Sequence, residues 1–371
     1  MSLYPIIMAG GAGTRLWPIS TKGKPKQVYP LLDDETLLQK TWKRLRRGFP
    51  AKHIFVSTGE GLALEAKSQL KGFVNENIVL EPARKGTAPA LALALLKIWK
   101  RDPEATFVYI NADNYIANEK EFIRLLRVAQ RVVTKKSDHV VLIGVNPTYP
   151  EPGLGYIKMG AQAMRLGEDE VFDVEAFVEK PDMQTAKAFL KSWQYLWNPT
   201  LIVARADHFL GLYKKYLPQI WRRLERISEA IGTSDEVKVV KREFPKIEAE
   251  TIDYGILEKE KKMLVLPGNF GWTDVGNWKT VHEVLAENIK TKEPKNIRTK
   301  GNICRAGKCV SVDSSGNLIY SLSGKLVALA GVKNMILIES ENALLLCPKN
   351  RTQDVKKLVE NLEKKGMKEY L

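Results

Sequence analysis

Gly10-Gly11-Ala12-Gly13-Thr14-Arg15-Leu16-Trp17-Pro18, with Lys24-Pro25-Lys26-Gln27 shortly after it, decides how this chain is read. It follows the apolar run Tyr4–Met8, which reads as a buried first strand. Glycines let a backbone bend sharply and aim its N–H groups at a phosphate chain. Arg15 adds a planar cationic fork and Lys26 a point charge. A Walker loop would end in Gly-Lys-Ser/Thr, whereas this one ends Gly13-Thr14-Arg15. A dinucleotide fingerprint needs a third glycine where Leu16 stands. A polyphosphate-binding turn remains, with a plain strand-to-helix turn as the simpler alternative.

Outward from the loop, short β-branched runs alternate with helical patterns, the signature of βαβ units. Strands are expected at Tyr4–Met8, His53–Ser57, Ile78–Leu80, Thr106–Ile110 and His139–Gly144. Helices are expected at Thr36–Arg47, Leu62–Gly72, Ala88–Lys100 and Lys120–Thr134. Further strands read as Gly155–Met159, Val171–Val178 and Leu196–Ala204, and further helices near His208–Lys215, Gln219–Ala230 and Trp278–Glu287. The expected fold is α/β, with a Rossmann-like, mixed, mostly parallel sheet flanked by helices. Ligands of such sheets bind at the carboxyl ends of the strands. Both the glycine loop and Asn111-Ala112-Asp113 follow strands at that edge.

Lys290–Lys300 is charged, contains Pro294 and reads as a linker. It divides a domain over 1–290 from a small C-terminal β domain over 291–371. Six short strands follow: Asn302–Arg305, Cys309–Asp313, Leu318–Ser321, Leu326–Ala330, Met335–Glu339 and Ala343–Pro348. Thr352–Lys364 reads as a closing amphipathic helix. The regular strands suggest a short β-helix, although a strict hexapeptide period is missing.

Composition narrows the class. The chain has 371 residues, 44% hydrophobic and 27% charged, as in ordinary globular proteins. No apolar run approaches a membrane span, so no membrane partner is expected. The opening Met1-Ser2-Leu3-Tyr4-Pro5 lacks a signal core, and a cytoplasmic location is expected by default. The net charge of +15 is scattered among Glu and Asp, which argues against nucleic acid and suits small anionic substrates. Cys304, Cys309 and Cys347 read as small hydrophobes on strands in a reducing compartment, although the first two could face each other across a hairpin.

Two carboxylates stand out. Asp113 follows the apolar strand Phe107-Val108-Tyr109-Ile110, where it could hold Mg²⁺ beside a phosphate or merely form an Asx turn. Asp274, in Gly271-Trp272-Thr273-Asp274-Val275-Gly276-Asn277-Trp278, could do the same or cap the next helix. Phe177-Val178-Glu179-Lys180-Pro181 places a Glu–Lys pair at a strand end; alone, such a pair is usually solvated surface.

Taken together, these segments resemble the sugar-1-phosphate nucleotidyltransferases over essentially the whole chain. The Leu16-Trp17-Pro18 and Pro25-Lys26-Gln27 elements resemble the mannose-1-phosphate guanylyltransferase branch. The resemblance implies that Gly10, Gly11, Gly13 and Thr14 bind the nucleotide, with Arg15 and Lys26 catalytic on its triphosphate. It implies that Glu81-Pro82, with Thr87, borders the base, and that Asp113 and Asp274 ligate catalytic Mg²⁺. Glu179 would grip sugar hydroxyls and Lys180 the sugar phosphate, with Gly155, Asn198 and Asp253 shaping the sugar pocket.

The sequence departs from the family at four points. Asn111 and Asn114 replace Pro and His around Asp113, and Lys85-Gly86 departs from the usual Asn. The largest departure is Trp197-Asn198-Pro199-Thr200, where the family has W-N-S-G. Pro199 restricts Asn198 to extended geometry, which puts the sugar in question more than the reaction. The implied reaction transfers GMP from GTP to mannose 1-phosphate, giving GDP-mannose and pyrophosphate, in a homo-oligomer expected to be a dimer. Another sugar 1-phosphate with another nucleotide remains open, as does a catalytically silent subunit that senses nucleotide sugars.

Overall fold

A computed structural model describes residues 2–11, 13–21, 23–291, 297–299, 301–305 and 308–371. The described chain divides into two compact units that interleave along the sequence. The first comprises 1–10, 41–112 and 116–272; the second comprises 11–40, 113–115 and 273–371.

The first unit is built on a ten-stranded mixed sheet. The strand Leu3–Met8 pairs in parallel with Phe55–Gly59 on one side and Thr106–Asn111 on the other. Ile78–Glu81 extends the parallel set at one edge. Ile202–Arg205 runs antiparallel to Thr106–Asn111 and to Val140–Val145, which itself pairs in parallel with Met263–Gly268. A long hairpin, Gly155–Leu166 with Asp169–Val178, completes the sheet. Leu3–Met8 and Val140–Val145 are buried along their whole length, as expected of strands covered on both faces.

The helix Thr87–Arg101 explains itself from sequence. Ala and Leu occupy nearly all of its first ten positions, so it is apolar all round and sinks into the core. Pro89 is tolerated because it falls in the first turn, where its missing N–H costs nothing. Leu91, Leu95 and Ile98 pack with Ile6, Phe55 and Phe107 of the sheet and Phe209 of the helix Ala206–Tyr216.

Several elements differ from the sequence expectation. Leu196–Ala204 is two strands, Tyr195–Asn198 and Ile202–Arg205. Pro199 removes a ladder donor, and Thr200 takes the left-handed region at φ 56°, so the strand must break there. The strand from Gly155 runs on to Leu166. The helices Met183–Ser192 and Glu236–Glu243 and the strand Met263–Gly268 were not anticipated.

In the second unit the glycine-loop segment folds with the C-terminal strands. Leu16, Ile19 and Leu31 share a core with Trp278 and Leu285 of the helix Trp278–Thr291 and with Ile303, Leu318 and Ile336. The Trp278 indole donates to the Trp17 carbonyl at 3.0 Å, and the Trp17 indole donates to the Tyr370 carbonyl at 2.7 Å. Asn302–Arg305, Leu318–Ser321 and Met335–Glu339 stack in parallel, as do Lys308–Val312 and Leu326–Ala330. These parallel stacks have the form of a short β-helix. Asn302 and Asn317 bond to each other at 2.8 Å inside a turn of the stack, satisfying polar groups that the coil would otherwise bury unpaired.

Helix Trp278–Thr291 and strand Ile297–Thr299 enter the stretch read as a linker, and residues 292–296 and 300 lie outside the described residues, as does Gly307. Cys304 and Cys309 form a disulfide, with Cα atoms 6.2 Å apart, which corrects their reading as reduced hydrophobes; Cys347 is free. Among the described residues no helix is long and apolar enough to cross a membrane.

Candidate active site

The residues singled out from sequence fall into two groups, one in each unit. In the second unit, Gly11 and Gly13 both have positive φ, 106° and 58°. A side chain at Gly13 would meet Ser20 Oγ at 2.4 Å and Lys26 Cβ at 3.2 Å, so the loop folds down onto Lys26 only because Gly13 has none. A three-residue 3₁₀ turn, Thr14–Leu16, follows rather than a regular helix. The loop therefore offers backbone N–H groups without a helix terminus behind them. Gly10, the last residue of the first unit's opening segment, is exposed with open space around its Cα.

Lys26 is buried. Its Nζ donates to Val275 O at 2.9 Å and pairs with Asp113 Oδ2 at 2.9 Å. Burial alone would lower the pKa of this ammonium, but Asp113 and Asp274 outweigh burial and hold it above the usual lysine value. The Asp274 pKa is raised too, which here favours the neutral form: burial and the neighbouring Asp113 raise its carboxyl, against the pull of Lys26 and Arg15. Arg15 Nη1 donates to Gln353 Oε1 at 3.0 Å. Gly276 makes room for this cluster, since a side chain there would meet Asp274 Oδ2 at 2.6 Å and Arg15 Nη2 at 3.3 Å. Two carboxylates of this kind suit Mg²⁺, which commonly takes one or two protein carboxylates and completes its shell with phosphate oxygens and water. Among the described residues no cluster of three or more His, Cys, Asp or Glu forms an all-protein metal cage.

In the first unit, Gly155, Glu179, Lys180, Asn198 and Asp253 converge. Gly155 pairs with Asn198 across the sheet. A side chain at Gly155 would meet Glu179 Oε2 at 2.5 Å and Asn198 Cβ at 3.3 Å. Asn198 Nδ2 donates to Asp253 Oδ1 at 3.1 Å, and Asn198 Oδ1 accepts from Thr200 N at 3.0 Å. Lys180, exposed and at φ 48°, pairs with Glu179. Asp253 opens a single π turn, Asp253–Leu257, a distortion that often marks functional positions. Burial, reinforced by the Glu179 charge, raises its carboxyl to about 7.

Glu81 and Pro82 end the strand Ile78–Glu81 and begin the next turn, both partly buried. Glu81 Oε1 accepts from Ser57 Oγ at 2.9 Å, and burial raises its pKa against that bond. Thr87 Oγ1 accepts from Ile252 N at 2.9 Å, tying this segment to the π turn. Gly86, at φ 84°, lets the two backbones meet: a methyl there would lie 2.3 Å from Glu250 O.

Sequence reading gave no site role to Gly86, noted only as part of a departure from the family, nor to Glu250, Gly276 or Gln353. The glycines sat inside quoted motifs and carried a signal. Glu250 and Gln353 had none, because their partners are far away in sequence.

Known proteins share this arrangement of sequence. Residues 4–291 match the family model for nucleotidyl transferases, and 307–362 match that of the MannoseP isomerase/GMP-like β-helix domain. A mannose-1-phosphate guanylyltransferase of Escherichia coli K12 is 34% identical over 373 residues, covering 99% of this chain and 75% of that protein. The alginate biosynthesis protein AlgA of Pseudomonas aeruginosa is 32% identical, covering 99% and 73%. A crystal structure from Thermus thermophilus, described as a mannose-1-phosphate geranyltransferase, matches with a TM-score of 0.84 at 28% identity, over 98% of this chain and 100% of that one.

Proposed function

This chain belongs to the nucleotidyl transferase family, in its mannose-1-phosphate guanylyltransferase branch, and on that premise we propose that it transfers GMP from GTP to mannose 1-phosphate. The observation that carries this reading is the partly buried cluster of Lys26, Asp113 and Asp274 beside the glycine loop. A phosphate oxygen of the sugar 1-phosphate attacks the α-phosphorus, and pyrophosphate leaves. The nucleophile is already anionic at neutral pH, so no protein base is required. The difficulty is charge: two anions must meet, and catalysis consists of positioning and neutralisation.

In this reading Gly10, Gly11, Gly13 and Thr14 bind the triphosphate through backbone N–H groups, and Arg15 and Lys26 neutralise it. Asp113 and Asp274 hold Mg²⁺, which would supply further charge neutralisation at the reacting phosphates. Glu81, Pro82 and Thr87 border the base. Glu179 and Asn198 bond sugar hydroxyls, Asp253 orients Asn198, Gly155 opens the space, and Lys180 takes the sugar phosphate. Nucleotide and sugar phosphate substrates suit the cytoplasm. A homodimer belongs to the same proposal: Val310, Val312, Leu326, Leu344 and Leu346 leave apolar area exposed on the C-terminal strands.

A second reading, another hexose 1-phosphate, is favoured by Thr200. Its left-handed backbone fixes the Asn198 side chain through the Thr200 N–H, at the point where the sequence departs from its relatives' motif. The test is pyrophosphate release by the purified protein with GTP, mannose 1-phosphate and Mg²⁺. Release that stops on chelation supports the proposal. No release with this pair, beside release with glucose 1-phosphate, establishes the second reading instead.

A further inference from the structure

A cavity of about 840 Å³ lies wholly within the second unit, apart from the residues assigned to the reaction. One wall is the helix Trp278–Thr291, which contributes Lys279, His282, Glu283 and Glu287; the other is formed by turns of the β-helix, which contribute Lys333, Met335 and Lys349. Its volume falls within the range of small-molecule sites, roughly 300–1,000 Å³.

Three lysines line it beside two carboxylates, Glu283 and Glu287, so the lining carries a net positive charge. Among the described residues Lys333 and Lys349 make no ion pair, and Lys279 has only a loose contact with Glu283, at 3.8 Å. Lys349 is half-buried; burial lowers its pKa, and Lys279 adds to that effect against Glu283. Lysines that outnumber the carboxylates in a concave place leave a positive field that favours an anionic guest. His282 points to the same unmet need. Both of its ring nitrogens are shielded from solvent and have no hydrogen-bond partner. Burial, with Lys349 nearby, lowers its pKa to about 4, so the ring is neutral at pH 7, with one donor and one acceptor left unused. Met335 and Ala286 give the cavity an apolar floor against which a sugar or ring could lie.

We propose that this cavity is a second, non-catalytic site for a small phosphorylated molecule, its phosphate held by Lys279, Lys333 and Lys349. Phosphate is the ligand chemistry that fits: a dianion answers several lysines at once, where a carboxylate answers one. The phosphate could be the bare ion or could be carried on a hexose.

Binding to the full-length chain would be measured by calorimetry with two probes, inorganic phosphate and glucose 6-phosphate. The same titrations would be run on Lys180→Ala, which disables the proposed sugar-phosphate site, and on Lys333→Glu/Lys349→Glu. Binding of either probe that persists in Lys180→Ala and weakens at least about tenfold in the double variant is the expected result. Equal binding of both probes would make the bare ion the ligand; tighter binding of the hexose phosphate would show that the sugar is read as well. Lys333→Ala, a change at an exposed position, guards against misfolding and should weaken binding in the same direction. No binding of either probe at millimolar concentration would overturn the proposal. So would binding unchanged by the lysine substitutions, or binding lost in Lys180→Ala.

Discussion

The two groups of site residues hold their charges in opposite ways. In the second unit, cations and carboxylates are set against one another: buried Lys26 pairs with Asp113, and Asp274 lies within the influence of both Lys26 and Arg15. In the first unit, neutral groups and close backbone do most of the positioning. Asn198 holds Asp253, the Thr200 N–H holds Asn198, and Gly155 and Gly86 admit neighbours that a side chain would exclude. A phosphate chain needs charge, which is insensitive to the ligand's exact shape, while hydroxyls are read by directional bonds. The second unit's residues should therefore set the rate, and the first unit's residues should set which sugar reacts.

The largest effect that would sharpen this contrast is expected at Asp113. Asp113→Ala should lower kcat on the order of 10³-fold, measured as pyrophosphate release, while the protein still folds, with some loss of stability because Lys26 loses its partner. Unchanged Mg²⁺-dependent turnover would remove the carboxylate pair from the mechanism.

Next is Asp253, whose folded pKa of about 7 lies above its ordinary value. The native state keeps a proton that the unfolded chain has already lost between about pH 4 and pH 7. Its stabilising effect is thus full below about pH 4 and is lost as the pH rises through 7, on the order of a few kcal/mol. Denaturation of Asp253→Asn across this range should show a flatter pH dependence than the parent; an identical slope would show that the group is not buried as described.

Gly86→Ala is expected to cost about 2 kcal/mol, because the methyl meets Glu250 O and the backbone has positive φ. Urea melts would measure it, and a neutral result would mean that the two backbones separate freely. The smallest effect is at Gln353. Gln353→Ala should lower kcat only about threefold by releasing Arg15, since the bond is exposed, and Gln353→Glu should restore it. A loss of stability without a change in kcat would make the contact structural.

The contrast also explains what the sequence could show. Local strings were legible: the buried run Phe107–Ile110, the strand-end pair Glu179-Lys180 and the loop Gly271–Trp278 each carry their pattern within a few neighbouring residues. The break between Asn198 and Ile202 was half visible, because Pro199 announced itself but the positive φ of Thr200 did not. Met263–Gly268 escaped notice as a short apolar run between charged stretches, with no alternation to mark it. The β-helix lacked a strict repeat because its rungs are unequally spaced: Ile303, Leu318 and Ile336 stack in register without a common interval. Arg15 with Gln353 and Gly86 with Glu250 were invisible because such partnerships exist only once distant segments have packed. The Cys304–Cys309 bond was visible as a spacing, yet composition argued against it.

The most direct test of the division of labour is kcat/KM for mannose 1-phosphate and glucose 1-phosphate in Lys26→Ala and Asn198→Ala, measured side by side with the parent. The account predicts that Lys26→Ala lowers both values by the same factor, leaving their ratio intact, while Asn198→Ala changes the ratio. A ratio altered by Lys26→Ala and untouched by Asn198→Ala would contradict it.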